Sequence, residues 1–150
     1  MKRNRIKTIC FIISIAILLL SGCGSKTKMQ DGFYTAEMSD YSHGWKEYVC
    51  IMVKNDQIVY VEFNAKDPSG YIKAWDNAYM ENMLTVAGTY PNEYTRYYAA
   101  KLLEQQDSSG IDALTGASSS GGNFFRLSAA VMQQAVLGDH DLVVVEAEAH

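Results

Sequence analysis

Apolar side chains are spaced differently in successive stretches of the chain, and each spacing predicts an element. Residues 9–20 are apolar apart from Ser14 and follow a cationic group, Lys2, Arg3, Arg5 and Lys7. That length suits the h-region of a secretory signal, and it is too short to cross a hydrocarbon core of about 30 Å as a mature helix. After a small, polar and basic stretch, residues 33–38 read as a first strand. Residues 48–53 and 58–63 are rich in β-branched and aromatic side chains. Lys54-Asn55-Asp56-Gln57 between them has turn chemistry, so the pair predicts a β-hairpin. Val49, Ile51 and Val53 fall on one face of its first strand, with Tyr48, Cys50 and Met52 on the other. Two apolar faces predict a central strand covered on both sides.

Beyond Asp67-Pro68-Ser69-Gly70 the period changes from two to about three and a half. Ile72, Trp75, Tyr79, Met83 and Val86 make one helical stripe ending near Gly88. Pro91 stands at a favourable helix start, and Tyr94, Tyr98 and Leu102 form the stripe of a second helix running to Gln106. A third helix, residues 123–137, carries Phe124, Leu127, Val131 and Ala135 on one face and is closed by Gly138. The remaining tail holds one short strand at residues 142–145 and is otherwise acidic and expected to be mobile. The predicted class is α+β, a small antiparallel sheet packed by two or three helices, with no repeat and no second domain.

The apolar run ends in Leu20-Ser21-Gly22-Cys23, which resembles the lipobox of bacterial lipoproteins. Small residues at 21 and 22 let a peptidase approach the backbone, and the Cys23 thiol would accept the lipid. A plain N-terminal transmembrane anchor with an incidental cysteine is the other reading. The expected organisation is a signal peptide at 1–22, a lipidated flexible leash at 23–30, a folded domain at 31–138 and an acidic tail at 139–150. Of 13 Lys and Arg, four precede Cys23, whereas all 17 Asp and Glu follow it, so the mature part carries a net charge of −8. Such a surface argues against nucleic acid and against electrostatic binding to anionic lipid, which leaves the membrane contact to the lipid on Cys23. Cys50 is then the one cysteine of the domain, in an apolar run that predicts a buried structural thiol.

Chemistry is concentrated in Asp112-Ala113-Leu114-Thr115-Gly116-Ala117-Ser118-Ser119-Ser120-Gly121-Gly122-Asn123. A turn of small residues feeding a helix presents uncovered backbone N–H groups, the positive end of a dipole, and several hydroxyls. Those are the parts of a phosphate site. Asp112 has the wrong sign for phosphate; coordinating a cation or bonding the turn suits it better. The same residues also read as a flexible loop with a routine Ser or Asn cap. His43, His140 and His150 have no partner spacing that would make a metal site.

Asp112-Ala113-Leu114-Thr115-Gly116-Ala117-Ser118 resembles the flavinylation motif of the FMN-binding domain family, Asp-x-x-Ser/Thr-Gly-Ala-Thr/Ser. Gly88-Thr89-Tyr90-Pro91-Asn92-Glu93-Tyr94, followed by a tyrosine-rich helix, is similar to small lipoproteins of that family. The likeness spans residues 31–137. It implies a cofactor, FMN, whose phosphate a flavin transferase esterifies to the hydroxyl of Ser118, taking the FMN from FAD. It also implies that Asp112, Thr115, Gly116 and Ala117 define the motif for the transferase, with Ser119 beside the attachment point. Most members carry threonine where Ser118 stands; serine offers the same oxygen without the β-methyl that fixes its rotamer. Trp75, Tyr79, Tyr90, Tyr94, Tyr97 and Tyr98 are candidates to flank the flavin ring, or else ordinary core.

The expected function is a membrane-tethered, extracytoplasmic electron carrier rather than an enzyme with its own substrate. Its partners would be a flavin transferase and a membrane electron donor such as a quinone-linked dehydrogenase. The rival is a surface lipoprotein that binds a small ligand or a protein without flavin.

Overall fold

The computed structural model describes residues 27–147, so the signal peptide and Cys23 lie outside the described residues. Three strands come first: β1 (Gly32–Met38), β2 (Lys46–Lys54) and β3 (Gln57–Lys66). A single 3-10 turn, Lys73–Trp75, follows, then α1 (Asn77–Ala87), α2 (Pro91–Gln105), α3 (Ser118–Leu137) and a last short strand, β4 (Val143–Val145). The sheet order is β3-β2-β1-β4. β1–β2 and β2–β3 are antiparallel, with Thr35 opposite Cys50 and Val49 opposite Phe63. β4 runs parallel to β1, with Glu37 opposite Val144, so the sheet is mixed rather than wholly antiparallel. The α+β class stands.

The hairpin turn is tighter than the four residues expected. Asn55 (φ 54°) and Asp56 (φ 63°) both adopt the left-handed conformation, the pair that a two-residue turn matched to strand twist demands. Val59 is extra in β3: Val53 pairs Ile58 while Met52 pairs Tyr60, and the bulge leaves Val59 and Tyr60 both exposed. At the free edge of β3 the Gln106 amide acts as a substitute strand. Its Oε1 accepts from the Ile58 N–H at 2.7 Å and its Nε2 donates to the Ile58 carbonyl at 2.9 Å.

Helices α2 and α3 cover one face of the sheet. Tyr34, Val49, Ile51, Phe63, Tyr98, Leu102, Phe124, Leu127 and Val131 form the core between the layers. Both helices follow the expected stripes, because Pro91 sits in the first turn of α2 and Gly138 (φ 69°) ends α3. Among the described residues no helix lies over the other face, so the expectation of a doubly covered β2 fails. Tyr48, Cys50 and Met52 are half-exposed, and Cys50 is not a buried thiol. The stripe from Ile72 to Val86 is not one helix either. Asp76 accepts from the Tyr79 N–H at 2.9 Å and starts a new helix, leaving Trp75 and Val86 exposed at 64% and 80%.

Both ends of the domain are docked further than expected. Met29 N–H donates to Asp56 Oδ1 at 2.8 Å and Gln30 N–H to the Ala135 carbonyl at 2.8 Å, so the last leash residues belong to the fold. The tail is held as well: β4 pairs β1, the His140 ring stacks on Tyr34 at 4.8 Å, and Ala147 N–H donates to Ser39 Oγ at 3.1 Å. The short strand expected at residues 142–145 forms at Val143–Val145, and its pairing with β1 docks a tail otherwise expected to be mobile.

Candidate functional site at the start of the last helix

Residues 111–117 connect α2 to α3, and tyrosines of α2 hold them. Tyr98 Oη accepts from the Leu114 N–H at 2.9 Å, and Tyr97 Oη donates to the Asp112 carbonyl at 3.2 Å. Gly116 (φ 83°) lies where a Cβ would collide with the Ala87 carbonyl oxygen and press on Thr89. Gly121 leaves the space that the Tyr98 hydroxyl fills. Ala117 is buried beneath the turn. These are packing duties, and they fix the loop's shape.

Helix α3 begins at Ser118, five residues before the predicted start at Asn123. Its N-cap, Ala117, has no side chain able to accept from the first-turn N–H groups. Ser118 and Ser119 are exposed in that turn, while Ser120 is buried. Asp112 and Thr115 are exposed too. The Asp112 contribution to the turn comes through its carbonyl, not its carboxylate. Among the described residues no cluster of His, Cys, Asp and Glu could hold a metal ion.

Beneath the turn lies a polar group that sequence reasoning missed. Glu47, on the inward face of β2 with Val49 and Ile51, accepts from Ser120 Oγ at 2.5 Å and Asn123 Nδ2 at 2.6 Å. Arg126 in turn donates to Asn123 Oδ1. Lys73, 8% exposed, directs its ammonium at the Tyr79 ring (4.7 Å to the centroid) and the Trp45 ring (6.0 Å). Burial alone would lower the Lys73 pKa, but the Tyr94, Tyr79 and Glu47 oxygens outweigh it and hold the ammonium charged. The Tyr94 hydroxyl is buried beside Lys73 and Ser120 without a hydrogen-bond partner of good geometry, and its pKa is raised, chiefly by burial. Glu47 carried one legible signal, a carboxylate sharing strand parity with three aliphatic residues. Lys73 carried none.

The candidate ring-flanking aromatics are divided between the core and the surface. Tyr94 and Tyr98 are interior, Tyr98 stacking on Phe124 at 4.9 Å. Tyr79 packs edge-on to Trp45, whereas the exposed Trp75 packs edge-on to Tyr71. Tyr90 and Tyr97 are half-exposed and remain available. A depression of about 270 Å³ lies on the opposite, open face of the sheet, lined by Thr35, Tyr48, Cys50 and the Glu37–Lys66 ion pair.

No protein-family model matches the chain. Its fold is that of the CPE2226 protein from Clostridium perfringens, whose crystal structure superimposes with a TM-score of 0.76 and 33% sequence identity, covering 80% of this chain and 99% of that one. This chain belongs to the CPE2226 family. Similarity also extends to the 15 kDa lipoprotein of Treponema pallidum, 29% identical over 135 residues that make up 89% of this chain and 94% of the other.

Proposed function

We infer that the protein is a lipid-anchored, extracytoplasmic flavoprotein that carries FMN on Ser118 and passes electrons between a membrane donor and an acceptor. The observation that carries this reading is an exposed Ser118 hydroxyl at the uncapped first turn of α3, presented by a loop of fixed shape. A modifying enzyme must reach its target, and Asp112, Thr115 and Ser118 are all exposed. Gly116 and Ala117 give the loop its close packing, and the free N–H groups of the turn suit a phosphate. In the attachment step a bond would form between Ser118 Oγ and the flavin-side phosphorus of FAD. The Ser118 proton is lost and AMP leaves. Bound FMN supplies reversible electron transfer; the chain supplies attachment and local charge.

The lipid anchor at Cys23 is supported by the likeness to a protein named a lipoprotein and by the lipobox pattern. Mass spectrometry of the purified protein tests it: loss of residues 1–22 with a diacylated cysteine is expected, and an intact Met1 N-terminus overturns it. For the cofactor, the protein is co-expressed with a flavin transferase, denatured and examined for fluorescence and a mass gain equal to FMN. Fluorescence that disappears in Ser118→Ala is the expected result. Absence of flavin in the wild-type chain would defeat the carrier reading and leave the flavin-free surface lipoprotein.

A further inference from the structure

We propose that Lys73, Tyr94 and the first turn of α3 form a receptor that holds a phosphate monoester without a covalent bond. The inference rests on the flavin reading for its choice of ligand, but not for the existence of the site. Three observations converge. The first-turn N–H groups of α3 have no side-chain cap. The Tyr94 hydroxyl, on a residue 1% exposed, lies within reach of Lys73 and of Ser120 of that same turn but makes no hydrogen bond of good geometry with either. A buried hydroxyl without a well-aligned hydrogen bond is costly, and a ligand oxygen would relieve it. Finally, Lys73 is a buried cation with no carboxylate within salt-bridge distance among the described residues.

The approach of these segments is built into the fold. Asn92 Nδ2 donates to the Ala74 carbonyl at 3.1 Å, fastening the 3-10 turn that carries Lys73 to the start of α2, which carries Tyr94. Glu47 beneath the turn and Asp112 in the loop before it are of unfavourable sign, and Asp112 is exposed; Glu47 is the buried one. Both its oxygens already accept hydrogen bonds, from Ser120 and Asn123, and Arg126 stands behind Asn123 as a second cation. An incoming phosphate would therefore meet a cation, a phenol donor and free backbone N–H groups. Held there, it would lie beside the turn that presents Ser118, where a flavin phosphate has to arrive before its ester can form.

The test uses the full chain made in a host without flavin transferase, so that Ser118 is unmodified, with inorganic phosphate as the probe. Titration should shift the Ser118, Ser119 and Ser120 amide resonances saturably, and chloride at equal ionic strength should not. Loss of a charge-assisted hydrogen bond in Lys73→Met should weaken phosphate about tenfold or more, and Tyr94→Phe should weaken it severalfold, with Lys73→Arg retaining affinity. Should Lys73→Met fail to fold, Tyr94→Phe and Lys73→Arg decide the matter. A wild-type chain with no saturable shift, or unchanged affinity in Tyr94→Phe and Lys73→Met, overturns the proposal. The two readings fail separately. Phosphate binding without ester formation at Ser118 removes the flavin reading alone, while a Ser118 ester on a chain that ignores phosphate removes this one.

Discussion

Gly121 and Gly122 are neighbours in α3, yet alanine should act on them with opposite sign. In an ordinary helix interior the change from glycine to alanine stabilises by about 0.5–1 kcal/mol. At Gly122 nothing lies within 4 Å of the new Cβ, so that gain should appear in full. At Gly121 the Cβ would collide with Tyr98 Oη and stand 3.2 Å from Cζ. The ring has nowhere to retreat. It is fully buried, stacks on Phe124 at 4.9 Å and is edge-on to Phe63, Tyr97 and Phe125. Overpacking of this kind costs about 1–3 kcal/mol, and losing the Leu114 N–H partner adds roughly 1 kcal/mol. After the helix gain is subtracted, Gly121→Ala should lose about 1–3 kcal/mol. Urea unfolding followed by circular dichroism measures both variants. Adding Tyr98→Phe to Gly121→Ala removes the obstructing oxygen and should recover part of the loss, a coupling that a double-mutant cycle reads directly. If both alanines shift stability in the same direction, the packing argument for Gly121 is wrong.

Gln106→Ala removes both hydrogen bonds to Ile58 and should cost about 1–3 kcal/mol, with light scattering revealing self-association through the uncovered β3 edge. Gly116→Ala forces a left-handed φ on alanine, costing about 1–3 kcal/mol before the Ala87 clash is counted, and should abolish flavin attachment at Ser118 in the fluorescence assay. Burial raises the Glu37 carboxyl, but hydrogen bonds and charge from Lys66 and Lys46 outweigh it and hold its pKa below the ordinary 4.5. Its stabilising contribution is therefore present above pH 4.5 and lost as pH falls through the lower folded value. Thermal unfolding of Glu37→Gln should thus differ from wild type near neutrality and converge with it in acid; an equal gap at every pH would refute the linkage.

The helices that bury a continuous stripe were legible from local pattern. Tyr94, Tyr98 and Leu102 in α2, and Phe124, Leu127 and Val131 in α3, sit where a period of 3.6 puts them. The beginning of α3 was not, because Ser-Ser-Ser-Gly-Gly has poor helix propensity. Contacts from outside override that preference: Glu47 bonds Ser120, and Tyr98 fills the space over Gly121. The parallel pairing of β4 was also hidden, since three valines do not name the strand they will join. A single Asp76 side chain, competing for the backbone as a cap, divided what looked like one helix. At the candidate site the loop is a contiguous word in the sequence. Its underlying Glu47, Lys73 and Tyr94 come from three separate segments, and only folding collects them.

The hydrogen bond from Gln30 to the Ala135 carbonyl gives the molecule a polarity. It fixes the chain's entry at the C-terminal end of α3, while Ser118 opens the N-terminal end of the same helix. Seventeen residues at 1.5 Å each separate the two poles by about 26 Å. A domain tethered through the lipid proposed at Cys23 would therefore be held by one pole and present the other outward. If Ser118 carries FMN as proposed, that would set a direction of travel for electrons: a donor embedded in the lipid would have to protrude or wait for the domain to tip over, whereas a soluble acceptor would find Ser118 facing its way.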